Sequence, residues 1–471
     1  MKQTMKIWAV TLVGMASVFV PSALWGQNQR LTGQLQQLFD CAEQNNASLI
    51  RVRAAIATAE AGEETARLAQ LPDVEAQLSI SYLGDARLWN RTFGESMAAP
   101  MPHFGNNFLL RAEQVVYSGG AITCGIRLAE QQTKMLRLSA DEQRQRVRFL
   151  LVGLYLQLHS LRHQETVYAT NRELALRQIE LMNHRREQGV SLRNDITRYE
   201  LQLQQIALGQ TTVSDRQSVL TKQLRTALGT DSVPLAMLSD DAFEGVGMAV
   251  GSEEDWLRLA LEQHKTLQRS ALAVDISLTQ ERLVEAERYP QVALVAEDHL
   301  DGPITIEVPP INKNLNYWFV GIGVRYNLAS LYKTKRKVQQ AKRATAEAQT
   351  QLTVAQQTIG DDVHAAYVDL GTARSELQTR RKAVQLATEN YEVVGKRYKN
   401  GLALITDMTD AANVKLEAEL ALVSARINLA YCYYRLKYAA NACRQCPLQY
   451  KENPAGRIFK GQYVMNNNKQ L

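Results

Sequence analysis

Two kinds of hydrophobic periodicity take turns along this chain, one returning every second residue and the other every third or fourth. After Pro72, Val74, Ala76, Leu78, Ile80 and Tyr82 alternate with Glu75, Gln77, Ser79 and Ser81, the pattern of a strand with one apolar and one polar face. Phe108–Val116 alternates in the same way, with Arg111 and Glu113 on its polar side. Val292, Leu294 and Ala296 follow Pro290, and Trp318, Val320, Ile322, Val324, Tyr326 and Leu328 alternate with Gly321, Gly323, Arg325 and Asn327. The pattern predicts four strands, at about 73–83, 107–117, 291–299 and 316–328.

The other periodicity occupies two stretches without proline. The eleven prolines leave 103–233 and 311–446 empty, and proline costs about 3 kcal/mol inside a helix. Val147, Leu151, Leu154, Leu158 and Leu161 mark one helical face, and Ala341, Ala344, Ala348, Leu352 and Ala355 mark a face of smaller residues. A helix from about 120 to 187 would be roughly 100 Å long at 1.5 Å per residue. No compact domain needs that length, whereas a coiled-coil tube does.

The chain is written twice. Gly189 and Asp195 recur as Gly401 and Asp407, 212 residues later, and the same offset pairs Arg185 with Arg397 and Val116 with Leu328. Earlier in each half the offset is 218, pairing Leu49 with Leu267 and Pro72 with Pro290. Each half reads helix, strand, loop, strand, long helix, glycine turn and return helix: α+β, mainly α. The units span 27–228 and 252–446, joined by a linker at 229–251 and followed by a polar tail at 447–471. A unit this long is a duplication, not a solenoid repeat.

Charge and composition narrow the functions open to such a chain. Lys2 and Lys6 precede an apolar run over about 7–20 that ends in Ala23-Leu24-Trp25-Gly26, the layout of a secretory leader over 1–26. The run is short for a bilayer-spanning helix. With mean hydropathy −0.27 and no second apolar segment of membrane length, an exported chain can enter a membrane only through its strands. Four strands cannot close a barrel, and open edges cannot face lipid, so closure requires an oligomer. A formal charge of +6 without basic runs among aromatics gives no support for nucleic-acid binding.

Chemistry-bearing residues are scattered. Cys443-Arg-Gln-Cys446 reads as a local disulfide or two idle thiols at a helix end, since no second metal-ligand pair is near. His159 and His163, four apart, read as a helix-surface pair and not a metal site. There is no phosphate-binding loop and no spacing for a catalytic triad. The reading is therefore not an enzyme, with no cofactor and no metal.

Gly189 and Gly401 end helices and reverse the chain, with Arg185, Arg186, Lys396, Arg397 and Lys399 suiting helix C-termini. Asp195 and Asp407 open the return helices, where the helix dipole alone would favour a carboxylate.

Together, Gln114-Val-Val-Tyr117-Ser118-Gly119-Gly120, the proline-led strands and the turns Gln188-Gly189-Val190…Asp195 and Asn400-Gly401-Leu402…Ile405-Thr-Asp407-Met-Thr-Asp410 resemble the TolC-like outer-membrane efflux protein family over about 33–446. The resemblance implies a homotrimer. Its twelve-stranded barrel would lie in outer-membrane lipid, on an α-helical barrel crossing the periplasm. The partners implied are a periplasmic adaptor and an inner-membrane transporter of an efflux or type I secretion system. It further implies that Asp407 and Asp410, three apart on one helix face, ring the pore as a gate, against the alternative of plain helix-start aspartates. A closed-state link would join Tyr398 to Asp195. A second family link needs an arginine where this chain has Ala403, and a threonine where it has Asn194. The adaptor would meet Gly189, Val190, Ser191, Gly401, Leu402 and Ala403. The rival reading is a periplasmic coiled-coil scaffold that forms no channel.

Overall fold

The computed structural model describes residues 23–189, 191–231, 246, 250–307 and 310–442. Most of the expected leader and linker, together with Cys443, Cys446 and the tail, lie outside the described residues. Val190 does as well.

Among the described residues fourteen elements follow in order: α1 (Ala23–Asn45), α2 (Ala47–Leu68), β1 (Asp73–Tyr82), β2 (Ala86–Trp89), β3 (Ser96–Ala99), β4 (Phe104–Tyr117), α3 (Ala121–Glu187), α4 (Arg193–Leu228), α5 (Glu253–Gln263), α6 (Lys265–Ala286), β5 (Gln291–Gly302), β6 (Leu315–Arg325), α7 (Ser330–Lys399) and α8 (Ile405–Ala439). The proline-free stretches hold the long helices. At 67 and 70 residues, α3 and α7 each extend roughly 100 Å.

Two features depart from the expected plan. The helix that opens each half is broken, at Asn46 and at His264. Each breaking residue has extended backbone, and its side chain caps the second piece: Asn46 accepts from the Ser48 and Leu49 amides, and His264 from Thr266. These two residues are related by the offset of 218. The β1–β4 connection also folds a small hairpin, β2–β3, whose four-residue strands are too short to show a period.

The four predicted strands form one antiparallel sheet in the order β1-β4-β5-β6. The two in-repeat pairings share one register. Asp73 opposite Glu113 becomes Gln291 opposite Arg325, and Leu78 opposite Phe108 becomes Ala296 opposite Val320, under the two sequence offsets. β4 and β5 join the repeats, with a bulge between Val115 and Tyr117. β1 and β6 are open edges. β6 stops at Arg325 instead of the expected 328, because its one neighbour, β5, begins at Gln291 opposite that residue.

The core also repeats. Val147, Leu151, Leu158 and Leu224 are buried in one cluster, and Ile359, Val363, Leu370 and Leu436, 212 residues on, are buried in another. The predicted α3 face, from Val147 to Leu161, is buried throughout. The small-residue face of α7 is only partly covered, with Ala344 exposed. His159 corrects an expectation. It is 2% exposed, edge-on to Tyr155 and stacked on His163 inside the helix packing instead of on a helix surface. Among the described residues no group of side chains could hold a metal ion, and no helix is long and apolar enough to cross a membrane.

Candidate functional site

The two long hairpins end side by side in tips of the same design. Gly189 (φ 77°) and Gly401 (φ 72°) hold the left-handed conformation that reverses the chain. The Gly189 amide donates to the Arg186 carbonyl (2.9 Å), and those of Gly401 and Leu402 donate to the carbonyls of Tyr398 (3.1 Å) and Arg397 (2.8 Å). Gly189, Gly401 and Leu402 are exposed, and Ser191 and Ala403 are half-buried.

Each return helix opens with an aspartate in its third position. The Asp407 carboxylate accepts from the Leu404 amide (3.0 Å), and that of Asp195 from the Leu192 amide (3.4 Å). The reciprocal half of a capping box is missing, because leucine offers no side-chain acceptor. Asp407 and Asp410 are both exposed, on either side of the buried Met408. Capping engages one oxygen of Asp407 and leaves its charge in place.

Tyr398, beside Asp195, belongs to a shared tip core. Met182, Ile196, Tyr199 and Met408 are buried there, with Tyr391, Tyr398 and Ile405 packed against them. Burial raises the Tyr398 phenol above its ordinary pKa, with the Asp195 charge adding to the rise and the nearby Ser191 hydroxyl and Arg185 opposing it. The Arg185 guanidinium lies 5.9 Å from the Tyr398 ring centre and also donates to the Lys399 carbonyl (2.5 Å), tying one hairpin to the other. Below the tips, Asn171 donates to Glu419 (2.8 Å) and Gln202 to Asn413 (3.0 Å), again between hairpins. Tyr199 is 2% exposed and its hydroxyl has no partner among the described residues. Sequence reasoning missed Tyr199, because in the sequence it is only another apolar-face position.

At the opposite end the sheet divides its residues by face. Val74, Leu78, Ile80 and Tyr82 of β1, Phe108 and Leu110 of β4, Leu294 and Leu300 of β5, and Trp318, Val320, Ile322 and Val324 of β6 fall on one face, as the registers require. Phe108 and Trp318 sit inside this face and not at strand ends. One carboxylate breaks it: Asp298, opposite Trp318, accepts from the Asn316 amide (3.0 Å).

The other face is polar. Arg111 contacts Glu113 (2.5 Å) and, across the junction of the repeats, Glu297 (3.5 Å). His299 lies 2.9 Å from Glu297 and stacks on Tyr317 with ring centres 4.6 Å apart. Asn107 donates to Asp301. The run Glu297-Asp-His299-Leu-Asp301 carried the period-two signal for this cluster, but the expected strand stopped at 299, one turn of the pattern too early.

Tyr117-Ser118-Gly119-Gly120 carries β4 into α3. Gly119 and Gly120 both have positive φ (62° and 87°), and only Gly119 is crowded: a Cβ there would stand 2.7 Å from the Tyr289 Cβ.

Comparison with known proteins gives one consistent result. The family model described as outer membrane efflux protein matches residues 256–442. The outer membrane efflux protein BepC of Brucella suis biovar 1 (strain 1330) is 21% identical over 429 residues, covering 90% of this chain and 89% of that protein. Among solved structures, the outer-membrane channel OprN superposes with a TM-score of 0.73 at 16% identity, over 89% of this chain and 92% of that one. The outer membrane protein VceC from Vibrio cholerae gives 0.72 at 15% identity, over 89% and 98%. CusC gives 0.74 at 11% identity, over 87% and 92%. At these identities the structural likeness establishes the fold.

Proposed function

We propose that this chain is an outer membrane efflux protein and serves as the exit duct of a tripartite efflux or type I secretion system, which passes cargo from an inner-membrane transporter and its periplasmic adaptor to the outside. The observation that carries the reading is the junction of a two-faced sheet with helices about 100 Å long. The apolar face suits lipid and the polar face suits a water-filled lumen. Both sheet edges are open, and lipid does not tolerate unpaired backbone. Three copies would supply twelve strands and close the sheet, and six helical hairpins would continue the tube through the periplasm. A periplasmic scaffold would need the helices but gives no reason for a sheet with one face so largely apolar.

In such a trimer Asp407 and Asp410 would place six carboxylates around one axis at the inner end, attracting cations and repelling anions. The Tyr398–Asp195 neighbourhood would hold the tips closed. The exposed turns at Gly189 and Gly401, with Val190, Ser191, Leu402 and Ala403, would meet the adaptor. No catalytic role is assigned to any residue.

Single-channel recording in planar bilayers tests the reading. The wild type is expected to pass a small, cation-preferring current. The Asp407→Asn, Asp410→Asn double variant keeps an acceptor for the Leu404 amide and removes the charge, so its current should grow and lose selectivity. A current unchanged by these substitutions leaves the duct and rejects the gate. No current from folded protein rejects the duct.

A further inference from the structure

The duplication contains information about a seam that one chain cannot form by itself. Within the chain, the repeats meet where β4 pairs with β5. The sequence offsets that superpose β1–β4 on β5–β6 without slippage also carry β4 onto β6 and β5 onto β1. The internal seam therefore has a counterpart between β6 of one copy and β1 of another. This step rests on the oligomeric duct proposed above and adds what that reading lacks, the register.

We propose that β6 pairs antiparallel with β1 of the partner in the register of the internal seam. Leu110 opposite Asp298 then becomes Ile322 opposite the partner's Ile80. Arg111 opposite Glu297 becomes Gly323 opposite the partner's Ser79, and Ala112 opposite Ala296 becomes Val324 opposite the partner's Leu78. The faces agree: apolar residues of β6 meet apolar residues of β1, and lumenal residues meet lumenal ones. A slip of one residue would set each face against the wrong one.

Three independent features of the isolated chain have the form that a missing partner would leave. First, β4 runs on to Tyr117 because β5 pairs with it there, beyond the end of its pairing with β1. In β6 the corresponding residues, Tyr326 and Asn327, keep the alternating pattern of a strand yet stand outside it; in this register they face the partner's Ala76 and Glu75. Second, the base of the internal seam is filled by Tyr289 against Gly119. The offsets convert that large–small pair into the partner's Leu71 against Leu331, and both leucines are exposed here, at 60% and 63%. Third, α6 packs on both α7 and α3, whereas its counterpart α2 packs on α3 and leaves its other flank, which includes Ile50, open.

One consequence concerns the lumen. The internal seam carries Arg111, Glu297, His299 and Asp301, whereas the seam between copies carries Gly321, Gly323, Ser79 and Ser81. Arg325 and the partner's Glu75 also fall on the lumenal side of the seam between copies, nearer the helices, so cargo would meet charge all round at that level and, farther out, three charged staves separated by three uncharged ones.

Paired cysteines read the register directly. A side chain at Gly321 meets nothing within 4 Å, and at Gly323 it makes only ordinary contact, so the sheet admits the substitutions. Directly opposed residues in antiparallel strands have Cα atoms about 4.5–5.5 Å apart, within disulfide range. After oxidation of the full-length protein with its five native cysteines replaced by alanine, Ser79→Cys with Gly323→Cys, and separately Ile80→Cys with Ile322→Cys, should give reducible two- and three-copy bands on a gel. Ser81→Cys with Gly323→Cys, two residues out of register, should not, and neither should any single-cysteine variant. Linking by the shifted pair alone, or none by the in-register pairs while native mass shows a trimer, overturns the register and leaves the duct standing. A native mass of one copy removes both.

Discussion

The side-chain amide of Asn46, at the break between α1 and α2, donates to the backbone carbonyl of Ala227 at the end of α4 (2.6 Å). The second repeat makes the same bridge from the other side: Asn441, after α8, donates to the carbonyl of Gln263 before the break at His264 (2.8 Å). Gly229 and Asn441 are equivalent by the offset of 212, and both have positive φ. A Cβ at Gly229 would overlap the Asn45 carbonyl, so that position cannot carry the amide and Asn46 supplies it.

Asn46 should therefore matter more than His264. Replacing Asn46 by alanine removes the cap from α2, worth about 1 kcal/mol, and strands a buried carbonyl, at about 1–3 kcal/mol. Hydrogen exchange at the Ser48 and Leu49 amides should rise roughly 30-fold or more, since about 1.4 kcal/mol is tenfold. His264→Ala removes only the bond from the Thr266 amide (3.2 Å) and should change exchange there by less than tenfold. Equal effects at the two breaks would show that the bridge contributes nothing.

Much of this architecture was legible because it rests on short-range periodicity and on proline. The strands, the long helices and both tip turns came from residues that interact with near neighbours. The offsets, read from a few glycines, prolines and aspartates, also relate the core positions that repeat in the structure. The breaks at Asn46 and His264 escaped notice because neither residue is a strong helix breaker; each acts through a cap visible only once the backbone bends. His159 was misplaced for a related reason. A histidine four residues from another looks like surface decoration until α3 is packed on its neighbours. At the tips, the sequence located Asp195, Tyr398, Asp407 and Asp410, but it could not show that Asp407 also caps α8.

Tyr199 gives a prediction for the tip core. Its buried hydroxyl lacks a partner among the described residues, and leaving such a group unsatisfied costs about 1–3 kcal/mol. Tyr199→Phe should leave the tips at least as stable, or stabilise them by roughly 1 kcal/mol. Burial also raises the phenol pKa of Tyr199 above the ordinary 10, with Tyr391 and Tyr398 beside it adding to the shift. A raised acid keeps its proton in the fold after the unfolded chain has lost it. Its stability is thus complete below pH 10 and falls as pH rises from there toward the folded value. Tip opening, followed by fluorescence from a label at Leu402→Cys, should begin above that pH and be delayed in Tyr199→Phe. An identical alkaline profile in the two proteins would remove Tyr199 from the account.

Arg111 is placed to moderate the charge of the proposed lumen. It touches Glu113 and Glu297, and His299 and Asp301 lie along the same face. Arg111→Gln leaves the carboxylates without their cation. In bilayer recordings under a salt gradient, the reversal potential should move toward stronger cation preference, and the effect should shrink above about 1 M salt, where the screening length is roughly 3 Å. No movement at low salt would show that selectivity is set elsewhere, with the tip aspartates the first place to look.

Gly119 and Gly120 separate backbone strain from crowding. Both lie in the left-handed region, which costs an ordinary residue roughly 1–2 kcal/mol. Gly120 has open space around it, whereas an alanine at Gly119 would push against the Tyr289 Cβ and ring and lie 3.0 Å from the Ala286 carbonyl oxygen. Gly120→Ala should therefore show the backbone cost alone, and Gly119→Ala that cost plus roughly 1–3 kcal/mol of overpacking, read as the urea midpoint for loss of the folded band on a cold gel. Tyr289→Ala should recover part of the deficit of Gly119→Ala and none of that of Gly120→Ala. That selective rescue follows because Tyr289 lies in the turn between α6 and β5, in the second repeat, so the crowding arises at the junction where the two repeats meet. Equal losses at the two glycines, unaffected by Tyr289→Ala, would mean that the junction tolerates a wider strand-to-helix turn than the structure has.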